Sequence, residues 1–485
     1  MTNELVGKTT SPKRILIANR GEIASRVAKA CRELGHTAIG IWTDNEIHAR
    51  HLEFCDEWVH LQGMTNAETY LNIPNILKVI KENKVDAVHP GYGFLSENAD
   101  FADALKEAGV VFIAPHAEAI RVMGDKATSK TLAKEAGVPV VPGSSAAVET
   151  VAEATKIADQ IGYPVLLKAV AGGGGRGMRA CHNESEIKSN FEAVQRESES
   201  AFGNGDLLVE KLIVNPRHIE VQIMADKKGN VFHFFERECS IQRRNQKVIE
   251  EAPSPFIGDD EDVRQKVCQT AVKLAEAVKY DSAGTVEFIM AEDKSFYFLE
   301  MNTRIQVEHP ITEEITGIDL LVCMIQSAFG EDLGIPNQEF IKRSGHAIEC
   351  RICAEDPITM LPAPGKVTGF ETNFPQGTRF DNCIFKDLEV TPDFDPMIGK
   401  LVTKGINRTI AIRKMMCALD GLHIEGLKTN IPLHKVILRE ENFIKGNYST
   451  AYIATIKPQE KVTTQFDYLR IFNKLAGIEA NRMGL

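Results

Sequence analysis

The spacing of hydrophobic and polar positions changes several times along this chain. Arg14 to Ala18 is a short apolar run, Ile23 to Leu34 repeats at helical spacing, and Thr37 to Trp42 is apolar again, which predicts a βαβ unit on a parallel sheet. The alternation continues through a helix near Ile73–Asn83, a strand at Ala87-Val88, the turn His89-Pro-Gly-Tyr-Gly93, a helix near Ala99–Ala108 and a strand at Val110–Ile113. Residues 1–124 therefore read as a doubly wound α/β domain.

After Gly124 the texture differs. Helical spacing over Lys126–Ala136 and Val151–Ile161 leads into the strand Pro164–Lys168, and strands dominate from Leu207: Leu207–Glu210, His218–Met224, Val231–Phe235, Gly284–Met290 and Phe296–Met301. This predicts a mixed or antiparallel sheet in a second domain, residues 125–343. Short strands and a helix near Thr409–Leu419 predict a third, mixed α+β domain over 344–456, with a charged tail at 457–485.

A length of 485 residues agrees with about three domains at roughly 150 residues each. With 43% hydrophobic and 25% charged residues, the bulk of the chain is too apolar for disorder. The net charge of −11 argues against nucleic acid as a partner. No apolar window is long enough for a membrane span and Met1 to Pro12 is polar, so a cytoplasmic protein is expected. The ten cysteines are scattered as reduced thiols would be, and the Cys350/Cys353 pair lies in a strand-like run with no second pair to complete a zinc site.

Candidate chemistry lies in four places. Gly172–Gly175 follows a strand, with Lys168 before it and Arg176 after it; bare N–H groups on such a loop can close over phosphate oxygens, although neither GxxxxGK[ST] nor GxGxxG is present. A hairpin centred near residue 293 or 294 sets Glu287 opposite Glu300, with Asn302 on the same face. Two carboxylates about 5 Å apart repel unless a divalent cation joins them, and Mg²⁺ suits such oxygen ligands. Arg304, Gln306 and Glu308 alternate as a stripe able to hold a small oxyanion and deprotonate it. Gln242–Lys247 gathers cations within an acidic protein.

These residues, with Ile17–Ala24, His89–Asn98, Met123–Lys126, Gly172–Met178, Asn215–His218 and Glu300–Pro310, resemble biotin carboxylase, the ATP-grasp component of biotin-dependent carboxylases, from about Lys13 to Ile453. The resemblance implies an ATP-grasp core with a mobile glycine-rich lid at about 141–212. It implies ATP contacts from Lys126, Lys168, Gly174, Gly175, the hinge Glu210, Lys211, Leu212 and Ile213, His218 and Gln242, together with Glu287 and Glu300. Glu287, Glu300 and Asn302 would hold Mg²⁺ or Mn²⁺. Lys247, Arg304, Gln306, Val307 and Glu308 would bind bicarbonate, with Glu308 as the base, and Arg351 would stabilise the enolate-like form of biotin.

The implied reaction is ATP-dependent carboxylation of biotin by bicarbonate through carboxyphosphate. It is the first half-reaction of an acetyl-CoA, propionyl-CoA or pyruvate carboxylase, as in fatty acid biosynthesis. The resemblance also implies a homodimer working with carboxyltransferase subunits. No Met-Lys-Met biotinylation motif occurs, since Lys414-Met-Met416 lacks the preceding methionine, so the biotin is expected on a separate carrier protein. Asn245 stands where many members carry histidine, and the glycine run opens with Ala171 where some members have a fifth glycine. The competing reading is another ATP-grasp ligase, of carbamoyl-phosphate or purine-pathway type; Arg351 and the 304–308 stripe count against it.

Overall fold

A strand flanked by helices on both faces can be apolar throughout, and the first strands show this. The computed structural model describes residues 11–46, 49–144, 146–170, 178–202 and 205–456. Within it β1 (Arg14–Ile17), β2 (Thr37–Trp42), β3 (Glu57–His60), β4 (Ala87–His89) and β5 (Val111–Phe112) form a parallel sheet in the order β3-β2-β1-β4-β5. Sequence periodicity missed β3, an edge strand whose side chains are largely exposed. Helices α1 (Gly21–Glu33), α2 (Ile73–Glu82) and α3 (Ala99–Glu107) join the strands.

The strand order reverses between β1 and β4, and the loops leaving their ends diverge into a crevice. The Asn19 amide fixes that crevice by donating to Pro90 O and Tyr92 O, both at 2.7 Å. Gly91 is required here: its φ is +62°, and a Cβ would stand 3.0 Å from the Asn19 amide nitrogen.

Past α4 (Ala117–Gly124) and α5 (Lys126–Glu135), α6 (Val151–Ile161) and α7 (Glu184–Phe202) cover a small antiparallel sheet. Its strands β6 (Val165–Ala169), β7 (Met178–Cys181) and β8 (Leu207–Lys211) run in the order β7-β6-β8. Gly174 and Gly175 lie outside the described residues, as does the tail at 457–485.

The largest element is an eight-stranded antiparallel sheet. It is built from β9 (Arg217–Ala225), β10 (Val231–Arg243), β11 (Gln246–Ala252), β12 (Ala283–Met290), β13 (Phe296–Asn302) and β14 (His346–Cys353). Two pairs of short strands follow, β15 (Gly365–Lys366) with β18 (Glu389–Val390) and β16 (Gly369–Thr372) with β20 (Leu422–Glu425), while β17 (Thr378–Asn382) and β19 (Met397–Gly405) complete the large sheet. Its order is β13-β12-β9-β10-β11-β14-β19-β17, so it runs unbroken across the division expected at 343/344.

Both faces of this sheet are covered. Ile219, Val221 and Ile223 of β9 pack with α8 (Glu261–Ala277), and period two sends His218, Glu220 and Gln222 to the other face. Across that polar face lie α9 (His309–Thr316) and α10 (Leu320–Ala328), with α9 spanning β10, β11, β14 and β19. Arg26 of α1 bonds Glu313 at 2.9 Å and Asp319 at 2.5 Å, docking the first sheet onto this layer. No helix among the described residues is long and apolar enough to cross a membrane.

Glu251 fastens the third unit. Buried at the end of β11, it accepts from His346 at 2.6 Å, from Arg408 at 2.6 and 3.0 Å, and from Tyr448. Burial raises its carboxyl, but Arg408 and His346 outweigh this and hold it well below the usual range. Its stabilisation is therefore complete above the unfolded-state value of about 4.3 and is lost as pH falls toward the depressed folded value. Glu251→Gln should lower unfolding free energy by about 3 kcal/mol at pH 7, since Arg408 stays buried without its charge partner. The gap from wild type should shrink below about pH 4. Urea titrations at the two pH values measure both, and a gap that widens in acid contradicts the assignment.

Candidate active site

Cross-strand register turns scattered residues into one row. Glu300 lies opposite Glu287, Glu287 opposite Glu220, and Glu220 opposite Arg237, so four charged side chains cross β13, β12, β9 and β10. The expected pairing of Glu287 with Glu300 is present, and a bulge follows at once because Phe288 pairs with Phe298. The bulge explains why Leu299 is 42% exposed although it lies in an apolar run.

Lys247, two residues past the β10–β11 turn, inserts its ammonium into this row. It donates to Glu220, to Glu287 at 2.9 Å and to Glu308 at 2.5 Å. Burial alone would lower its pKa, yet Glu220, Glu287 and Glu308 together raise it well above the ordinary value. Burial likewise raises Glu287, and Lys247 and His218 outweigh it, leaving that carboxyl well below its usual range. His218 stands 3.2 Å from Glu287, whose charge overcomes desolvation and raises the imidazole to about 9.

The same sheet delivers Arg351 from the third unit, because β14 pairs with β11. Its guanidinium donates through Nη2 to Glu308 Oε2 at 2.9 Å and through Nε to Glu250 Oε1 at 2.5 Å. Glu308, at the N-terminus of α9, thus has one oxygen on Lys247 and the other on Arg351. Burial raises its carboxyl, but Lys247 first among the nearby charges brings it below the ordinary value, so it is ionised and able to accept a proton. A 470 Å³ cavity opens beside this pair, lined by Arg20, Tyr92, Lys247, Arg304, Val307 and Arg351. All three units contribute to its wall.

Arg304 is held by Glu97 at 2.8 Å and Asn302 at 3.0 Å. Gln306 is buried between Arg237 and Glu287, accepting from the first and donating to the second at 2.9 Å each, and is fully engaged. The Val307 carbonyl accepts from buried Lys400 at 2.9 Å. Across the cleft, Glu210 bonds Lys130 at 2.7 Å and Lys168 at 3.5 Å. The Lys211 ammonium turns back to Gly162 O and Tyr163 O, and the Leu212 N–H to Pro164 O, so the 210–213 segment is fastened to the small sheet. Lys126 starts α5 near enough to Glu300 to oppose, without overcoming, the upward push of burial and Glu287 on that carboxyl. Gln242 pairs with Lys247 across the hairpin.

Asn245 is explained by its place in that hairpin. Arg244 and Asn245 form a two-residue turn with φ of 51° and 64°, and asparagine tolerates such backbone at low cost. Glu220, Arg237, Lys130, Glu97 and Lys400 escaped the sequence reading. A polar alternation at His218, Glu220 and Gln222 would have found the first, but the triplet Glu236-Arg237-Glu238 looks like a strand end and is instead the middle of β10.

The arrangement can hold a metal and an anion side by side. Lys247 balances the inner acids, while the outer Glu300 stays near solvent and has its carboxyl raised by desolvation and then by Glu287. Two crowded carboxylates with the Asn302 amide beside them form a hard-oxygen donor set suited to Mg²⁺ or Mn²⁺.

Residues 11–120 match the family described as biotin carboxylase, N-terminal domain, residues 125–335 the carbamoyl-phosphate synthase L chain, ATP binding domain, and residues 349–455 the biotin carboxylase C-terminal domain. Biotin carboxylase of Nostoc sp. is 49% identical over 441 residues, covering 91% of this chain and 98% of that one. Among solved structures, the biotin carboxylase subunit of pyruvate carboxylase superposes with a TM-score of 0.83 at 48% identity, covering 91% of this chain and 98% of that one. The biotin carboxylase domain dimer of Hydrogenobacter thermophilus 2-oxoglutarate carboxylase, with MgADP, ADP and bicarbonate, superposes with a TM-score of 0.82 at 47% identity, covering 91% and 97%.

Replacing either carboxylate by its amide should weaken Mg²⁺-dependent nucleotide binding by roughly ten- to a hundredfold, since each removes one anionic ligand. Titration calorimetry with ADP, with and without Mg²⁺, measures this for Glu287→Gln and Glu300→Gln. Unchanged Mg²⁺ dependence in both variants would remove them from the metal site.

Proposed function

The chain belongs to the biotin carboxylase family, and from that premise we propose how its residues carry the reaction and what it works beside. It is a ligase that carboxylates biotin with bicarbonate at the expense of ATP. Bicarbonate attacks the γ-phosphate to give carboxyphosphate, and its breakdown delivers CO₂ to a deprotonated biotin nitrogen.

Bicarbonate is a weak nucleophile and the transferring phosphoryl group is crowded with charge, so position and neutralisation supply most of the acceleration. Arg304 and Lys247 bind the bicarbonate, with the Val307 backbone at the same wall of the cavity. Glu308 takes its proton. The observation that carries this reading is the two-sided grip on Glu308, with Lys247 on one oxygen and Arg351 on the other. In the resting protein these cations are satisfied by internal acids, and an incoming anion exchanges with them without having to recruit a new charge. Glu287, Glu300 and Asn302 hold the divalent cation, which neutralises phosphate charge when bound. Lys126, Lys168 and the 210–213 segment hold the nucleotide. Arg351 stabilises negative charge on the biotin ureido oxygen.

Residues 1–124, 125–343 and 344–456 act as three units that together wall the cavity, the second also supplying the nucleotide and metal groups and the third Arg351. The biotin arrives on a separate carrier protein. Relatives of nearly equal identity carry pyruvate and 2-oxoglutarate carboxylase names, so the carboxylation half is common to them and acceptor choice falls to a separate carboxyltransferase. The enzyme is a cytoplasmic homodimer. A different ATP-grasp ligase would share the metal and nucleotide groups but would have no use for Arg351.

Free biotin should stimulate bicarbonate-dependent ATP hydrolysis, measured by phosphate release. Arg351→Ala should keep nucleotide affinity within about twofold while labelled-bicarbonate fixation into biotin falls at least about a hundredfold. Hydrolysis indifferent to biotin would favour the other ligase reading.

A further inference from the structure

Behind Arg351 the sheet carries two acids that the carboxylation chemistry leaves unused. Glu250 of β11 and Glu349 of β14 are register partners in an antiparallel pair, which sets their side chains on one face with Cβ atoms about 5 Å apart. Both residues are 0% exposed. Glu250 Oε1 accepts from Arg351 Nε, but Glu250 Oε2 and both oxygens of Glu349 are buried without a hydrogen-bond donor.

The surroundings offer Glu349 little charge compensation. Its partner on β19 is Val402, in the apolar core that also holds Ala252, Ile311, Ile315 and Ala347. The charged groups facing the pair are Lys247 from β11, Arg351 from β14, Lys400 from β19 and Glu308 at the start of α9; His309 of α9, kept neutral by burial, also lies on this side. Lys400 is committed to Glu22 at 3.1 Å and to the Val307 carbonyl. Arg351 is divided between Glu250 and Glu308.

Two adjacent buried carboxylates with three undonated oxygens are strongly unfavourable if both are ionised. One proton held between them removes the repulsion and supplies the missing donor. We propose that Glu250 and Glu349 share a single proton and act as the positioning element for Arg351, anchoring its Nε so that its Nη edge is presented to biotin. Burial agrees with this, pushing Glu250 up to about 7 against the pull of Arg351, while burial and then Glu250 push Glu349 well above the ordinary range.

The consequence for the reaction is a division of labour around one guanidinium. When Glu308 accepts a proton its hold on Nη2 weakens, while Glu250 keeps Nε in place. Arg351 then turns its freed edge to the developing oxyanion without losing its position. This inference rests on the role given to Arg351 under the proposed function.

The test compares two replacements at 349 and one at 250. Glu349→Gln puts a neutral donor where the protonated carboxyl stands and should keep biotin carboxylation within about threefold of wild type. Glu349→Leu removes the donor, and Glu250→Ala removes the anchor. Each should raise KM for biotin roughly tenfold or more, with KM for ATP and the thermal midpoint little changed in Glu349→Leu. Infrared spectroscopy of the wild-type enzyme at neutral pH should show the carbonyl band of a buried protonated carboxyl, shifted in D₂O and missing from Glu349→Gln. Equal losses in Glu349→Gln and Glu349→Leu, a KM for ATP that moves with that for biotin, or no such band in the wild type would each overturn the proposal. A wild-type enzyme that hydrolyses ATP without carboxylating biotin would instead defeat the reading of Arg351, and the infrared band still decides the shared proton.

Discussion

One buried ammonium group organises the site. Lys247 is enclosed by Glu220, Glu287 and Glu308, and these acids would repel one another without it. An unpaired charge in such a place costs several kcal/mol, whereas a cation bonded to three anions recovers that cost through short, charge-assisted hydrogen bonds. Arg237 completes the balance from the other side, bonding Glu220, Gln222, Thr285, Thr312 and Gln306 while fully buried. The inner side chains of the row, Glu287, Glu220 and Arg237, are thereby each held in one orientation before any substrate enters.

That balance depends on continuity of the large sheet. Glu287 and Glu300 come from a hairpin, Glu220 and Arg237 from the strands beside it, Lys247 from the next turn and Arg351 from a strand far along the chain. Only an unbroken antiparallel sheet places them within hydrogen-bond reach of one another. Hydrogen-bonded strands lie about 4.8 Å apart, so neighbours in the row meet side by side. The third unit is therefore part of the site's frame, and its attachment through Glu251 bears on catalysis as well as on stability.

The sequence was informative wherever chemistry and period coincided. The hairpin from Gly284 to Asn302 has a short turn, and its register sets Glu287 against Glu300 by simple counting. Four of the five strands of the parallel first sheet are equally readable from their apolar runs, the exposed edge strand β3 being the exception. What escaped was long-range. The run Phe234-Phe-Glu-Arg-Glu-Cys239 breaks the apolar pattern, so periodicity alone ends β10 at Phe235; its charges are tolerated only because partners from β9, α8 and α9 meet them. No local rule reveals that β11 and β14 are neighbours, and the Glu250–Arg351–Glu308 chain follows from that pairing alone.

The N-terminal unit shows how a fold common to many functions is made specific. Its crevice at the reversal of strand order is a general binding position in open α/β sheets, yet here it forms one wall of a cavity completed by other units. Glu22, at the start of α1, reaches Lys400 of β19, which in turn holds the Val307 carbonyl beside Glu308. A contact between the first and last units is thus transmitted to the backbone next to Glu308. Buried ion pairs add little net stability, but once built they exclude alternative arrangements, because any shift strands a charge in a dry interior. The charges that line the cavity are paired with one another across elements far apart in the chain, which is why the cavity can be polar and shared among distant parts of the chain.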